Sequence, residues 1–193
     1  MRHLIDTYIQ SDESRRIDPF GDQTLLDIIV NSGIADAIKN LPNGIKSSQE
    51  AVAETIERNV RQKIIKEQLV DPAYFDKMSE LLDTIIKERK TLAIQYEDYL
   101  KKIAALSKQV MNTVRADLPQ GVETPAQRAL YHNLEEDEAT ALKVHEEVLR
   151  VKKADFRGNL QKENEIKSVI YGILKDEKEV ERIFAIIKQQ REY

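Results

Sequence analysis

Residues 155–159 read Asp-Phe-Arg-Gly-Asn: a charged residue, an aromatic, an arginine, a glycine and an asparagine in a row. That mixture has the look of a working loop. For catalysis it lacks a nucleophile or a general base close by in sequence. For a turn it is well equipped. Gly158 takes backbone conformations that other residues resist, and Asn159 tolerates the left-handed region or caps a following helix. Phe156 is expected to pin the loop to a core, and Arg157 to bond carbonyls at a helix end or to face a partner. Phe156, Arg157, Gly158 and Asn159 therefore form a candidate structural joint.

The basic segment Arg150, Lys152, Lys153 and Arg157 is the candidate for contact with phosphate or a partner. Arg150 and Lys153 are i,i+3 neighbours, so they can converge on one helix face. Basic residues at a helix C-terminus are also ordinary complements of the helix dipole, and that plainer reading carries more weight.

Other chemistry is thin. His3, His132 and His145 do not stand at ligand spacing, so a zinc or two-metal site lacks its parts. His145, with acids beside it, is expected in solvent, and His132 is expected to cap the C-terminus of a short helix. The acidic run 135–138 reads as a helix start rather than a magnesium site. Residues 43–47, Asn-Gly-Ile-Lys-Ser, have the flavour of a phosphate loop but lack its first glycine and its Gly-Lys pair. Tyr74, Tyr96 and Tyr99 fall in apolar helical stripes, where packing is expected rather than base stacking. No residue is assigned a catalytic, cofactor-binding or metal-ligating role.

Those residues need elements to position them, and the composition says which. The chain has 193 residues, with six glycines and five prolines against a 33% charged and 41% hydrophobic content. Few breakers among many Lys, Glu, Leu, Ile and Ala point to long helices, and no segment alternates like a strand. A net charge of −4 argues against a surface that wraps nucleic acid as a whole. Without cysteine there is no disulfide or thiolate, which fits a reducing, cytoplasmic setting. No apolar run reaches the length of a membrane span, and MRHLIDTYIQ lacks a signal-peptide core.

Leu4, Ile5, Tyr8 and Ile9 are spaced as a helix face without a preceding cap, so the chain is expected to begin inside an element. Asp22 is expected to cap the next helix, which ends at Gly33. Ser47 and Glu50 have capping-box spacing ahead of a helix carrying Val52, Ile56, Val60 and Ile64. Asp71-Pro72 starts another, with Tyr74, Met78, Leu81 and Ile85 as its stripe. Leu92, Tyr96, Tyr99, Ile103, Leu106 and Val110 form the stripe after it. One helix over 72–114 would run about 65 Å, but four charged residues at 87–90 would leave it no apolar face there, so a hairpin turning near 90–95 is favoured. Thr124, Pro125 and Gln127 mark a further start, and two final helices follow the joint. The class is all-α: an irregular bundle with a long antiparallel helical pair. It is divided into 1–46 (a helical link), 47–118 (the long helices) and 119–193 (a C-terminal subdomain).

Four stretches together carry a family resemblance: YIQSDESRRIDPFGDQTLLDII (8–29), AVAETIERNVRQKIIKEQ (51–68), DPAYFDKMSELLDTIIKERK with YEDYL (71–90 and 96–100), and DFRGN with the closing IIKQQREY. In order and spacing the chain resembles the C-terminal helical region of the restriction (R) subunit of type I restriction–modification enzymes. The family commonly has Trp where Phe156 stands. The resemblance implies a parent subunit with an upstream nuclease and two motor lobes, which uses ATP and magnesium to translocate and cut DNA. For these residues it implies a non-catalytic role: docking onto the methyltransferase core of modification and specificity subunits, or bracing the motor against DNA. A DNA-contacting helical module and a generic protein-interaction scaffold are the competing readings.

Overall fold

A computed structural model describes residues 24–112 and 118–193. Among them are ten α-helices and no strand, so the expected all-α class holds. The expected first helix around Leu4–Ile9 and the cap at Asp22 lie outside the described residues.

Helices α1 (Leu25–Asn31), α2 (Ile34–Asn40) and α3 (Asn43–Lys46) are short. Thr24 caps α1 and Asp27 reciprocates, its carboxylate accepting from the Thr24 N–H at 2.9 Å. Helix α4 (Gln49–Glu67) is capped by Ser48, not Ser47. The reason is local: residues 43–46 close a helical turn of their own, and the Ser47 hydroxyl donates to the carbonyl of Gly44. Glu50 is thereby released from any capping box.

Asp71 and Pro72 open α5 (Pro72–Lys90) as expected, the Asp71 carboxylate accepting from the Tyr74 N–H. After a turn in which Leu92 adopts a left-handed conformation comes α6 (Tyr96–Asn112). The hairpin is thus present, but not for the reason given by the charges. Residues 87–90 are the last turn of α5, and the Arg89 side chain is buried there against Glu57. The buried stripe of α5 takes Leu82 in place of Leu81, and Leu92 is exposed at the turn rather than part of the α6 stripe.

Helices α7 (Pro125–Asn133), α8 (Glu138–Val151), α9 (Leu160–Leu174) and α10 (Glu177–Gln189) complete the chain. Thr124 and Gln127 make the expected capping box of α7. In the acidic run Glu135 and Glu136 have positive φ, and Asp137 caps α8.

Two apolar cores result. Ile29, Ile56, Val60, Phe75, Leu82 and Ile103 anchor the first, which α1–α6 enclose. Helix α1 packs on α4 and α6, so residues 25–46 share this core rather than standing apart as a link. Leu130, Val144, Phe156, Ile166, Ile170 and Ile183 anchor the second, made by α7–α10. Helix α5 packs against α7 where the two meet.

Candidate functional site

The 155–159 stretch folds as a joint. Helix α8 ends at Val151 because Lys152 turns to extended backbone. Asp155 and Gly158 take positive φ, 54° and 83°, which swings the chain round to α9. Phe156 is fully buried against Phe184 of α10, ring centroids 6.5 Å apart. The Arg157 guanidinium covers the Phe156 ring at 4.6 Å and donates to two carbonyls at the C-terminal end of α10, that of Lys188 in its last turn (2.8 Å) and that of Gln190 just past it (2.5 Å). These carbonyls lie where a helix leaves acceptors unsatisfied and its dipole is negative, so a guanidinium suits them in both geometry and charge. Asn159 caps α9 through the Lys162 N–H. Glu163 accepts from the Gly158 N–H at 2.8 Å and pairs with Lys188, whose ammonium holds its carboxyl below the usual range.

The four basic candidates do not converge on one outward face. Arg150 pairs with Glu147 one turn back on α8. Lys153 lies beyond the helix end, so the i,i+3 relation with Arg150 is lost, and it pairs with Glu165 at 2.7 Å. Lys152 donates to the Glu192 carbonyl at 2.5 Å and stands over the Tyr193 ring. Lys152 and Arg157 thus hold the same closing segment, 188–193. Glu192 in turn accepts from the Ala126 N–H at the start of α7, closing the circuit between the ends of the second core.

Both described histidines depart from expectation. His145 is buried, not solvated, and shares a 2.7 Å hydrogen bond with the Tyr193 hydroxyl. Burial lowers the pKa of His145 and raises that of Tyr193, so both groups are neutral near pH 7. His132 does not cap its own helix. Its Nδ1 lies 2.6 Å from the Asp71 carboxylate, its ring stacks on Tyr74, and its Nε2 is buried without a hydrogen-bond partner.

Sequence reasoning missed two buried polar sets. Around Asp71, Asn133 donates to the same carboxylate at 2.8 Å and accepts from the Ala73 N–H. Arg182 donates to the Asn133 carbonyl, and the Gln190 amide reaches the Val70 carbonyl at 2.7 Å. The bonds of Asn133 to Asp71 and Ala73 and of Gln190 to Val70 tie the two cores together. Inside the first core, Glu57 binds Arg89, Tyr99 donates to Glu57 at 3.1 Å, and exposed Glu50 closes on Arg89 at 2.5 Å. The two carboxylates raise the Arg89 pKa further and keep it charged.

Each of these sets joins helices and, His132 Nε2 apart, is occupied by partners within the chain. An open groove of about 930 Å³ between α8 and α9 is lined by Arg150, Val151, Leu160, Asn164, Glu165 and Ser168, and the Glu165 carboxylate is held by Lys153. Among the described residues no three His, Asp or Glu side chains are grouped to hold a metal, and no helix is long and apolar enough to cross a membrane. Comparison of the chain with known protein families, with curated proteins and with solved structures finds no match.

Proposed function

We propose that this chain is a non-catalytic helical module of a type I restriction enzyme R subunit, which docks that subunit onto its methyltransferase core. The observation that carries the reading is the use of the 155–159 stretch. Its aromatic is core, its arginine clamps the end of α10, and its asparagine caps α9. A joint of this kind supports the reading of an assembly domain. The other polar clusters join helices in the same way.

On this reading ATP, magnesium and the cutting chemistry belong to upstream nuclease and motor domains, and the location is cytoplasmic. The modification and specificity subunits are the partners, and DNA is met through the whole complex. The test is binding of the purified chain to a cognate methyltransferase core by size exclusion with calorimetry, beside a DNA titration at two salt concentrations. A stable complex with the core and no affinity for DNA is expected. Salt-sensitive DNA binding without binding to the core would replace docking with direct DNA contact through the region of Arg150, Lys152, Lys153 and Arg157.

A further inference from the structure

The apolar side chains of the two cores form separate clusters. Helices α5 and α7 meet between them, and buried polar groups occupy the seam. Asp71, His132, Asn133 and Gln190 are each less than a tenth exposed. Across the seam the Asp71 carboxylate takes His132 at 2.6 Å and Asn133 at 2.8 Å, and the Gln190 amide donates to the Val70 carbonyl at 2.7 Å. At its surface Lys77 of α5 pairs with Glu136, just beyond α7, at 3.2 Å. A polar seam of this kind has the character of a transient interface, along which two parts of one chain move, rather than of the apolar contact that fuses them.

Two features favour opening. First, each core keeps its own bonds when the seam parts. Asp71 still accepts from the Tyr74 N–H and caps α5. Asn133 still donates to the Ala129 carbonyl, and its own carbonyl still accepts from Arg182. The groups released are all polar, and water can bond each of them. Second, His132 Nε2 is buried without a hydrogen-bond partner. Nδ1 faces the carboxylate, so Nε2 is unmet in the closed seam whichever way the ring carries its protons. Opening gives it water. The bonds to Asp71 and the stack of His132 on Tyr74 oppose that gain. The Glu57–Arg89 pair lies wholly within the first core and has no such exit.

We propose that the two cores part and re-close as rigid bodies along this seam, with Asp71, His132 and Asn133 as its latch and Gln190 as a clasp from the closing segment. The chain passes from one core to the other once, between α6 and α7, so the cores stay tethered when the latch is open. Opening changes the angle between α1–α6 and α7–α10, and a partner that grips both would fix it. The device stands apart from the docking reading and needs no methyltransferase core to operate.

One amide reports the latch directly. The Ala73 N–H lies in the first turn of α5, where a helix offers no acceptor of its own, and it donates to Asn133 Oδ1 at 3.3 Å. Its hydrogen exchange in the full chain is followed by NMR. Ala73 is expected to be protected, yet to exchange about tenfold or more faster than amides in the middle of α4 and α8. Gln190→Ala leaves the Ala73–Asn133 bond itself intact and is expected to speed Ala73 by about tenfold, with the helix amides unchanged. Lys77→Ala, a surface change, is expected to speed it about twofold. Equal rates for Ala73 and the helix amides, or acceleration of all of them together in Gln190→Ala, would show that the cores unfold as one body and overturns the proposal. So does free exchange of Ala73 in the wild type, or an Ala73 rate that neither variant moves. Because the chain has no cysteine, spin labels on Lys108→Cys and Lys143→Cys, both exposed, measure the gap without background. Two distance populations are expected, the second growing in Gln190→Ala; one population, the same in both proteins, also ends it.

Discussion

Glu57 and Arg89 stand 32 residues apart on α4 and α5, yet the Glu57 carboxylate grips the Arg89 guanidinium with two hydrogen bonds, 2.8 and 3.2 Å. Both side chains are 9% exposed, so removal of Arg89 leaves the Glu57 carboxylate in the core without its counter-ion. Arg89→Ala should destabilise the chain by roughly 3–5 kcal/mol, while the double variant Glu57→Met, Arg89→Met should recover most of that loss. Urea unfolding of the two variants checks the pair. A mild single variant would mean that water or the Tyr99 hydroxyl is enough to satisfy Glu57.

Phe156 and Arg157 divide the work of the joint, and their variants should differ in kind. Phe156→Ala opens a cavity in the second core and should cost about 3–5 kcal/mol. Arg157→Ala should cost roughly 1–3 kcal/mol and speed amide exchange in residues 188–193, whose carbonyls it holds. Hydrogen exchange read by mass spectrometry separates the two; an unchanged tail in Arg157→Ala would remove the angle-setting role.

Two glycines should respond in opposite directions. Gly158 has φ of 83° with open space around it, so Gly158→Ala meets no clash but forces a left-handed alanine, costing about 1–2 kcal/mol. Gly172 lies inside α9, also with open space where a Cβ would stand, and Gly172→Ala should stabilise by about 0.5–1 kcal/mol. Thermal melts of both variants test the backbone argument without touching any contact.

Acid should loosen the closing segment through His145. Its pKa is lowered by burial, so the folded chain binds that proton less readily than the unfolded chain. The contribution of neutral His145 is therefore full above its unfolded value of about 6.5 and is lost as pH falls through the lowered folded value. Wild type should lose melting temperature between pH 7 and 5 more steeply than His145→Gln. Parallel curves for the two proteins would show that the tail does not sense this proton.

What could be read from the sequence was what is decided within a turn or two of chain. The caps at Asp71, Thr124 and Asn159, the breaks at Pro72 and Pro125, and the anchor at Phe156 all follow from local chemistry. The errors came where tertiary packing overrides neighbours. Glu146 and Glu147 made His145 look solvated, yet it shares a helical side with Ala141, Val144 and Val148, all buried. That periodicity was the available signal. Residues 87–90 looked too charged to offer any face for burial because nothing nearby announces that Arg89 finds Glu57. Asp71 and His132, 61 positions apart, carry no local mark of their meeting at all.

The division into two cores has a bearing on how such a chain can change over generations. Ile56 and Ile166 sit in separate apolar clusters, so drift in the size of one core residue can be answered by neighbours in the same cluster. Asp71 and Asn133 have no such latitude. They bond across the two clusters, and a substitution at one is answerable only within the set they form with His132. Homologous chains should therefore vary freely inside either core while positions 71, 132 and 133 change together or not at all.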